Sequence, residues 1–118
     1  MRIWNLFYCG PDIVNESPVD FLYGLNANAP QEGAIIERRL ETLCDLTTPN
    51  WPPKWIKLIY KNLYQLKAGD HRIYFGIYRK DLVVYFICRK VGNSARKQDI
   101  NRAILNQADF ETKAEGDK

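Results

Sequence analysis

Hydrophobic and polar residues alternate along the middle of the chain. In the clearest stretch, the apolar residues Ile73, Phe75 and Ile77 alternate with polar or aromatic residues from Arg72 to Tyr78. A period of two is typical of a β-strand with one buried face. A sheet with this alternation is expected to be covered by helices on one face only. The pattern predicts strands at 58–67, 72–78 and 82–90, with turns at 68–70 and 79–81.

A helical period replaces this alternation nearer the N-terminus. Ser17-Pro18-Val19-Asp20 has the order of a helix start, with Ser as N-cap, Pro at the first helical position and an acid in the first turn. A second helix is predicted over 31–46, because apolar residues recur there with a helical spacing. The predicted apolar stripe of this helix consists of Ile35, Ile36, Leu40, Leu43 and Cys44.

The remaining segments complete an α+β fold. Residues 2–9 are apolar and aromatic and predict an N-terminal strand, which Gly10-Pro11-Asp12 ends. The proline-rich segment 47–53 predicts a loop, and 95–110 predicts a final helix. We therefore expect an N-terminal strand, a helical hairpin, a three-stranded antiparallel sheet and a C-terminal helix. The predicted domain covers 1–110, and the polar segment 111–118 is predicted to be a flexible tail.

Composition narrows the class of protein. A chain of 118 residues with 46% hydrophobic residues is long enough to bury a core without disulfides or a metal. Cys9, Cys44 and Cys88 are far apart and form no C-x-x-C pair, so we expect neither a disulfide framework nor a zinc site. No apolar run approaches the roughly 20 residues of a membrane helix, and no signal peptide is evident. These features predict a cytoplasmic protein that does not enter a membrane.

Positive charge is concentrated in the predicted sheet. Residues 54–97 carry 11 basic and 2 acidic residues, whereas 1–53 carry 3 basic and 7 acidic and 98–118 carry 3 basic and 5 acidic. A basic segment within an otherwise acidic chain is typical of a nucleic-acid surface. The alternative is a solvated, lysine-rich sheet edge that resists aggregation.

Several motifs resemble the RelE/ParE superfamily of type II toxin–antitoxin toxins, in particular its phage-derived, HigB-like branch. The resemblance covers about 18–110. It rests on Pro18-Val19-Asp20-Phe21-Leu22, Leu63-Tyr64-Gln65-Leu66-Lys67, His71-Arg72-Ile73-Tyr74-Phe75, Arg89-Lys90, and Asp99-Ile100 with Ala103. The chain departs from the family pattern where Gln65 and Lys67 replace Glu and Arg and where Asn93-Ser94-Ala95 replaces Lys-Thr-Pro. It also lacks the tyrosine that several ribosome-dependent members carry near the start of the last helix.

This resemblance implies a toxin that cleaves mRNA on the ribosome, inhibits translation and is neutralised by a cognate antitoxin protein. It implies a metal-independent endoribonuclease without a cofactor, in which cations stabilise the phosphorane. On this interpretation Lys67, Arg72 and Arg89 are the catalytic residues. The residues expected to bind the RNA backbone are Lys54, Lys57, Lys61, Lys90, Arg96 and Lys97.

Two further functions remain open at this stage: a ParE-like inhibitor of DNA gyrase, and a degenerate relative that only binds RNA or protein. Arg72 could instead be a surface residue paired with Asp70 or with an acid of the last helix. His71 shares the strand parity of Ile73 and Phe75, so we expect it to be buried or to cap a turn rather than to act in catalysis. Candidates for stacking on bases are Tyr64, Tyr74 and Tyr78.

Overall fold

The structure is a computed structural model and describes residues 2–9, 17–92 and 96–116. The predicted break at Gly10-Pro11-Asp12, the segment Asn93-Ser94-Ala95 and the last two positions of the predicted tail lie outside these ranges. The described elements, in chain order, are β1 (Asn5–Tyr8), α1 (Pro18–Asn28), α2 (Pro30–Cys44), a 3-10 turn (Thr48–Asn50), β2 (Ile56–Tyr60), β3 (Leu63–Ala68), β4 (His71–Tyr78), β5 (Asp81–Arg89) and α3 (Lys97–Gly116).

The strands form one mixed sheet in the order β1-β5-β4-β3-β2, which confirms the α+β class. The prediction of a three-stranded antiparallel sheet was wrong for two reasons. The segment predicted as one strand over 58–67 turns back on itself, because Lys61 adopts a φ of 43° and the Asn62 amide donates to the Ile77 carbonyl at 2.7 Å. In addition, β1 joins the sheet in parallel with β5 (Asn5 beside Asp81).

The helical hairpin α1–α2 covers one face of the sheet. The Ser17 hydroxyl caps α1 by accepting the Asp20 backbone N–H at 3.1 Å, as the sequence predicted. The predicted stripe of α2 is confirmed except at Ile35, whose residue surface is 39% exposed. Trp51 is buried beside this stripe and donates its indole N–H to the Leu43 carbonyl at 3.0 Å. On this face the core of α2 comprises Ile36, Leu40, Leu43 and Cys44.

The opposite face of the sheet is covered by α3, so the prediction of a sheet covered on one face only was wrong. Tyr74 and Tyr85 are fully buried there with Leu63 and Val83, against Ala103 of α3. Gly76 on this face permits the close approach of the β2–β3 turn, because a Cβ at that position would lie 2.5 Å from the Asn62 carbonyl oxygen. The aromatic residues of the apparently polar face are therefore a second core rather than a surface.

The last helix is longer than predicted. It begins at Lys97 and continues to Gly116, six positions beyond the predicted end at residue 110. Asp109 and Lys113, one turn apart, form an ion pair at 3.2 Å across the predicted end, which supports helical geometry in the extension. Among the described helices, none combines the length and apolarity needed to cross a membrane.

Candidate nucleic-acid interface

Strand register places Lys57, Lys67 and Arg72 on the α3 face of the sheet, whereas Arg89 is paired with His71 and so has the opposite parity. Lys67 and Arg72 are direct partners in the β3–β4 ladder, and Arg72 is in turn paired with Cys88 of β5. Lys57 lies beside Gln65 on the neighbouring strand pair. Because side chains alternate between faces along a strand, these positions project from the same side. The tight β3–β4 turn therefore determines the pairing on which the site depends.

A cavity of about 210 Å³ opens at this end of the sheet, between the strand ends and the start of α3. We call it the cationic cavity, because its wall contains four of the predicted strand cations together with two more from the flanking segments. Gathering this much positive charge at one concave surface favours the binding of phosphate groups. The basic side chains of its wall are Lys57, Lys67, Arg72, Arg89, Lys90 and Arg96.

Arg72 is held in place by backbone carbonyls rather than by an acid. Its Nη1 donates to the carbonyl of Gly69 at 3.1 Å and to that of His71 at 2.8 Å, at the β3–β4 turn. The turn is also fixed from the other side, because the Lys90 N–H donates to the Asp70 carbonyl at 2.6 Å. Within the described ranges, Arg72 forms no ion pair with Asp70 or with an acid of α3. Its positive charge is therefore not neutralised by a carboxylate there.

The floor of the cavity is polar but already hydrogen-bonded. Gln65 is buried and donates its amide to the Tyr74 hydroxyl at 3.1 Å, and burial raises the pKa of Tyr74. Tyr74 is covered by α3 and cannot offer its ring to a base. Tyr64 packs between Trp51 and Phe75 on the hairpin face, and Tyr78 contacts Phe110 at the far end of the sheet. The burial of Tyr74 thus argues against base stacking by its ring, and Tyr64 and Tyr78 do not line this cavity.

An acidic residue that the sequence patterns did not indicate as a site residue lies in the cavity wall. Asp99, in the first turn of α3, is only 8% exposed and accepts two hydrogen bonds from Arg96: Nε to Oδ2 at 3.0 Å and Nη2 to Oδ1 at 3.3 Å. It also accepts the Cys88 thiol; burial first and this carboxylate second raise the pKa of Cys88 to about 12. Strand parity could have identified Cys88, which pairs with Arg72 and so shares its face.

Arg89 and His71 meet a carboxylate on the hairpin side of the same sheet end. Glu32, in the first turn of α2, lies 3.8 Å from Arg89 Nη2 and 3.7 Å from His71 Nδ1. His71 is 1% exposed, and neither ring nitrogen has a hydrogen-bond partner among the described residues. Burial is the main cause that lowers the pKa of His71, and Arg89 and Arg72 lower it further against the opposing effect of Glu32 and Asp70. This position agrees with its predicted parity and removes it from the cationic cavity.

Three predicted RNA-binding residues lie outside the cavity. Lys54 is exposed in the loop before β2, and Lys97 is exposed at the first position of α3. Lys61 lies at the β2–β3 turn, where its Nζ is 5.3 Å from the centre of the Tyr60 ring. The structure thus brings together all three predicted catalytic residues and three of the six predicted RNA-binding residues.

The comparisons with known proteins provide no family assignment. No protein-family model matches the chain, and no curated protein matches it significantly. Within the described ranges, no group of three or more His, Cys, Asp or Glu side chains is arranged to hold a metal ion.

Proposed function

We propose that this protein is a type II toxin of the RelE/ParE kind that cleaves mRNA on the ribosome and is neutralised by an antitoxin protein. The observation that carries the proposal is the cationic cavity, in which Lys67 and Arg72 are cross-strand partners. The resemblance of the strand motifs to this superfamily supplies the identity of the substrate. The order of a helical hairpin, antiparallel strands and a closing helix is consistent with the same family.

The proposed reaction is attack of a ribose 2′-hydroxyl on the adjacent phosphate. Such a reaction needs a group that accepts the nucleophile's proton, cations that stabilise the phosphorane, and a donor for the leaving 5′ oxygen. Arg72 is suited to phosphorane stabilisation, because its guanidinium is anchored by two carbonyls and carries no carboxylate partner among the described residues. Lys67, directly opposite, is the proposed base or second phosphate clamp. Arg89 contributes charge from the third side of the cavity.

The remaining cations have a supporting role in this proposal. Lys57, Lys90 and Arg96 complete the wall of the cavity and would bind phosphates on either side of the scissile one. Lys54, Lys61 and Lys97 lie farther out and would contact the backbone of mRNA or ribosomal RNA. A cationic cavity also provides a complementary surface for acidic side chains of an antitoxin.

One feature favours a second candidate, an RNA-binding relative that does not cleave. The groups on the cavity floor are poorly suited to moving protons near neutral pH: the Gln65 amide does not titrate, and the pKa values of Tyr74 and Cys88 are raised by burial. Asp99 is held by Arg96. Acid–base chemistry would then depend on the lysines of the cavity wall. Whether the protein cleaves RNA is therefore the observation that separates the nuclease from the binding protein.

The test is primer extension on a reporter mRNA in a translating extract. Wild-type protein is expected to produce discrete cuts within the translated frame that require ribosomes. The double variant Arg72→Ala, Arg89→Ala should lose them. The control Arg79→Ala, Lys80→Ala removes the same charge at two exposed residues that neither line the cavity nor belong to the proposed RNA contacts, and it should retain most of the activity. Binding of the reporter without cuts would support the second candidate, and inhibition of gyrase supercoiling instead of mRNA cleavage would support the ParE-like alternative.

A further inference from the structure

A second cavity adjoins the cationic cavity at the end of β5. Its volume is about 490 Å³, and it lies between the starts of α1 and α3. The two cavities share Cys88, Arg89, Arg96 and Asp99, so their walls are continuous. Within the described ranges 2–9, 17–92 and 96–116, β1 pairs with β5 only as far as Val84. Beyond that residue β5 is paired with β4 on one edge, and its other edge has no strand partner among the described residues at this cavity.

The residues that line only the second cavity are more aromatic than those of the cationic cavity. They include the aromatic residues Phe21 and Phe86, the exposed amide of Gln98 and the exposed guanidinium of Arg102. The Arg102 guanidinium carbon lies 5.6 Å from the centre of the Phe86 ring, so this cation covers a buried aromatic residue. A planar guanidinium supported by a ring offers a flat, cationic surface on which another π-system can stack.

We propose that the second cavity binds the base of the nucleotide next to the phosphate held in the cationic cavity. The inference rests on the proposed function for the identity of the strand as single-stranded RNA. The shared guanidinium groups of Arg89 and Arg96 lie where a phosphodiester would pass from one cavity to the other. The Arg102 guanidinium, with the Phe86 ring beneath it, provides the stacking surface beside the half-buried Phe21. The Gln98 amide provides a donor and an acceptor for the edge of the base.

The expected effect follows from what stacking contributes relative to charge. Loss of a stacking surface lowers single-strand affinity by about tenfold for one base, whereas loss of one exposed charge acts on the backbone regardless of bases. Arg102→Ala removes both contributions. Arg102→Lys keeps the charge and removes the planar group, so it isolates the stacking contribution. Alanine and lysine both favour helix formation, and residue 102 is exposed on α3, so the two variants should fold.

A matched control is available at the opposite end of the β4–β5 hairpin. Arg79 is exposed and its guanidinium carbon lies 5.2 Å from the centre of the Tyr78 ring, but it lines neither cavity. Arg79→Ala therefore removes the same charge and a similar cation–π contact away from the proposed site.

The experiment measures fluorescence anisotropy of two labelled oligomers of equal length at low salt. One is oligoadenylate and the other is the corresponding abasic ribose-phosphate chain. Wild-type protein and Arg79→Ala are expected to prefer oligoadenylate by about tenfold. Arg102→Ala and Arg102→Lys should lose this preference, and Arg102→Lys should bind the abasic chain as wild-type protein does.

Three results would overturn the base-binding site: no preference for oligoadenylate in wild-type protein, an unchanged preference in both Arg102 variants, or no RNA binding at all. The cleavage assay on the ribosome reports separately on the proposed function. Cuts without any base preference in binding would retain the nuclease and reject the base site. A preference that depends on Arg102, without cuts, would retain the base site and reject the nuclease.

Discussion

The replacement of Arg72 by alanine tests the assignment of the cationic cavity most directly. The guanidinium of Arg72 is anchored by the Gly69 and His71 carbonyls and has no carboxylate partner among the described residues. A hydrogen bond to a charged group contributes about 1.5–3 kcal/mol. Because Arg72 is half-buried and its charge is partly screened by solvent, we take the lower end, about 1.5 kcal/mol. The dissociation constant for single-stranded RNA should therefore rise about tenfold at low salt.

The salt dependence of binding separates a phosphate contact from a general loss of affinity. Removal of one phosphate contact should reduce the magnitude of the slope of log K against log salt by about 0.7 for a single strand. The assay is anisotropy of a labelled oligoribonucleotide over a range of salt concentrations. Arg79→Ala is the control for net charge, and Arg72→Lys tests whether charge without the two-carbonyl anchor is sufficient. Thermal unfolding should be measured alongside, since Arg72 also stabilises its turn.

Equal weakening of binding by Arg72→Ala and Arg79→Ala, with the same change in the salt slope, would refute the assignment of this cavity. The RNA surface would then be a diffuse property of the basic segment rather than of the cationic cavity. A large loss of affinity with an unchanged slope would also count against a phosphate contact. That result would indicate that Arg72 acts by supporting the turn.

Three further predictions concern stability, measured by urea unfolding. His71 is buried and its pKa is lowered from the ordinary 6.5, so on acidification the unfolded chain binds a proton at this residue before the folded chain does. The free energy of unfolding should therefore fall as the pH drops below about 6.5, by up to about 1.4 kcal/mol per pH unit. His71→Gln should remove this contribution, and an equal slope of stability against pH in that variant would contradict the prediction. Gly76→Ala should cost about 1–3 kcal/mol because its Cβ would collide with a backbone oxygen, whereas Gly24→Ala, with no atom within 4 Å, should stabilise the helix; equal effects would reject the proposed close approach. Leu40→Ala should cost about 2–5 kcal/mol and the more exposed Ile35→Ala about 0.5 kcal/mol, and similar losses would show that α2 packs differently.

Local sequence patterns correctly predicted the secondary structure where only one interpretation fitted them. The alternation in β4 and the Ser17 cap of α1 predicted real elements, because both depend on neighbours within a few residues. The cross-strand pair of Lys67 and Arg72 could likewise be anticipated from a short turn. These are the parts of the fold, and of the candidate site, that a single sequence can specify.

The wrong predictions involve distant partners or ambiguous side chains. No local signal indicated that β1 would pair with β5 in parallel. A positive φ is usually adopted by Gly, Asn or Asp, but the residue with this conformation here is Lys61. The sequence therefore did not predict the turn between β2 and β3. Tyrosine suits both a surface and a half-polar core, which concealed the burial of Tyr74 and Tyr85 beneath α3. Asp99 lines the cavity because the start of α3 lies beside the strand ends, a long-range contact that no local pattern indicates.

The parallel pairing of β1 with β5 has a consequence for how the protein is made. Asn5 and Asp81 are separated by 76 positions, so β1, the first strand to be synthesised, can pair in the sheet only after β5, the last strand, has been made. Two cations of the cavity wall, Lys90 and Arg96, are also synthesised late, because they follow the end of the last strand, β5. Contacts between distant segments form slowly and late. A nascent chain interrupted before this point therefore carries the basic strands but not the assembled cavity.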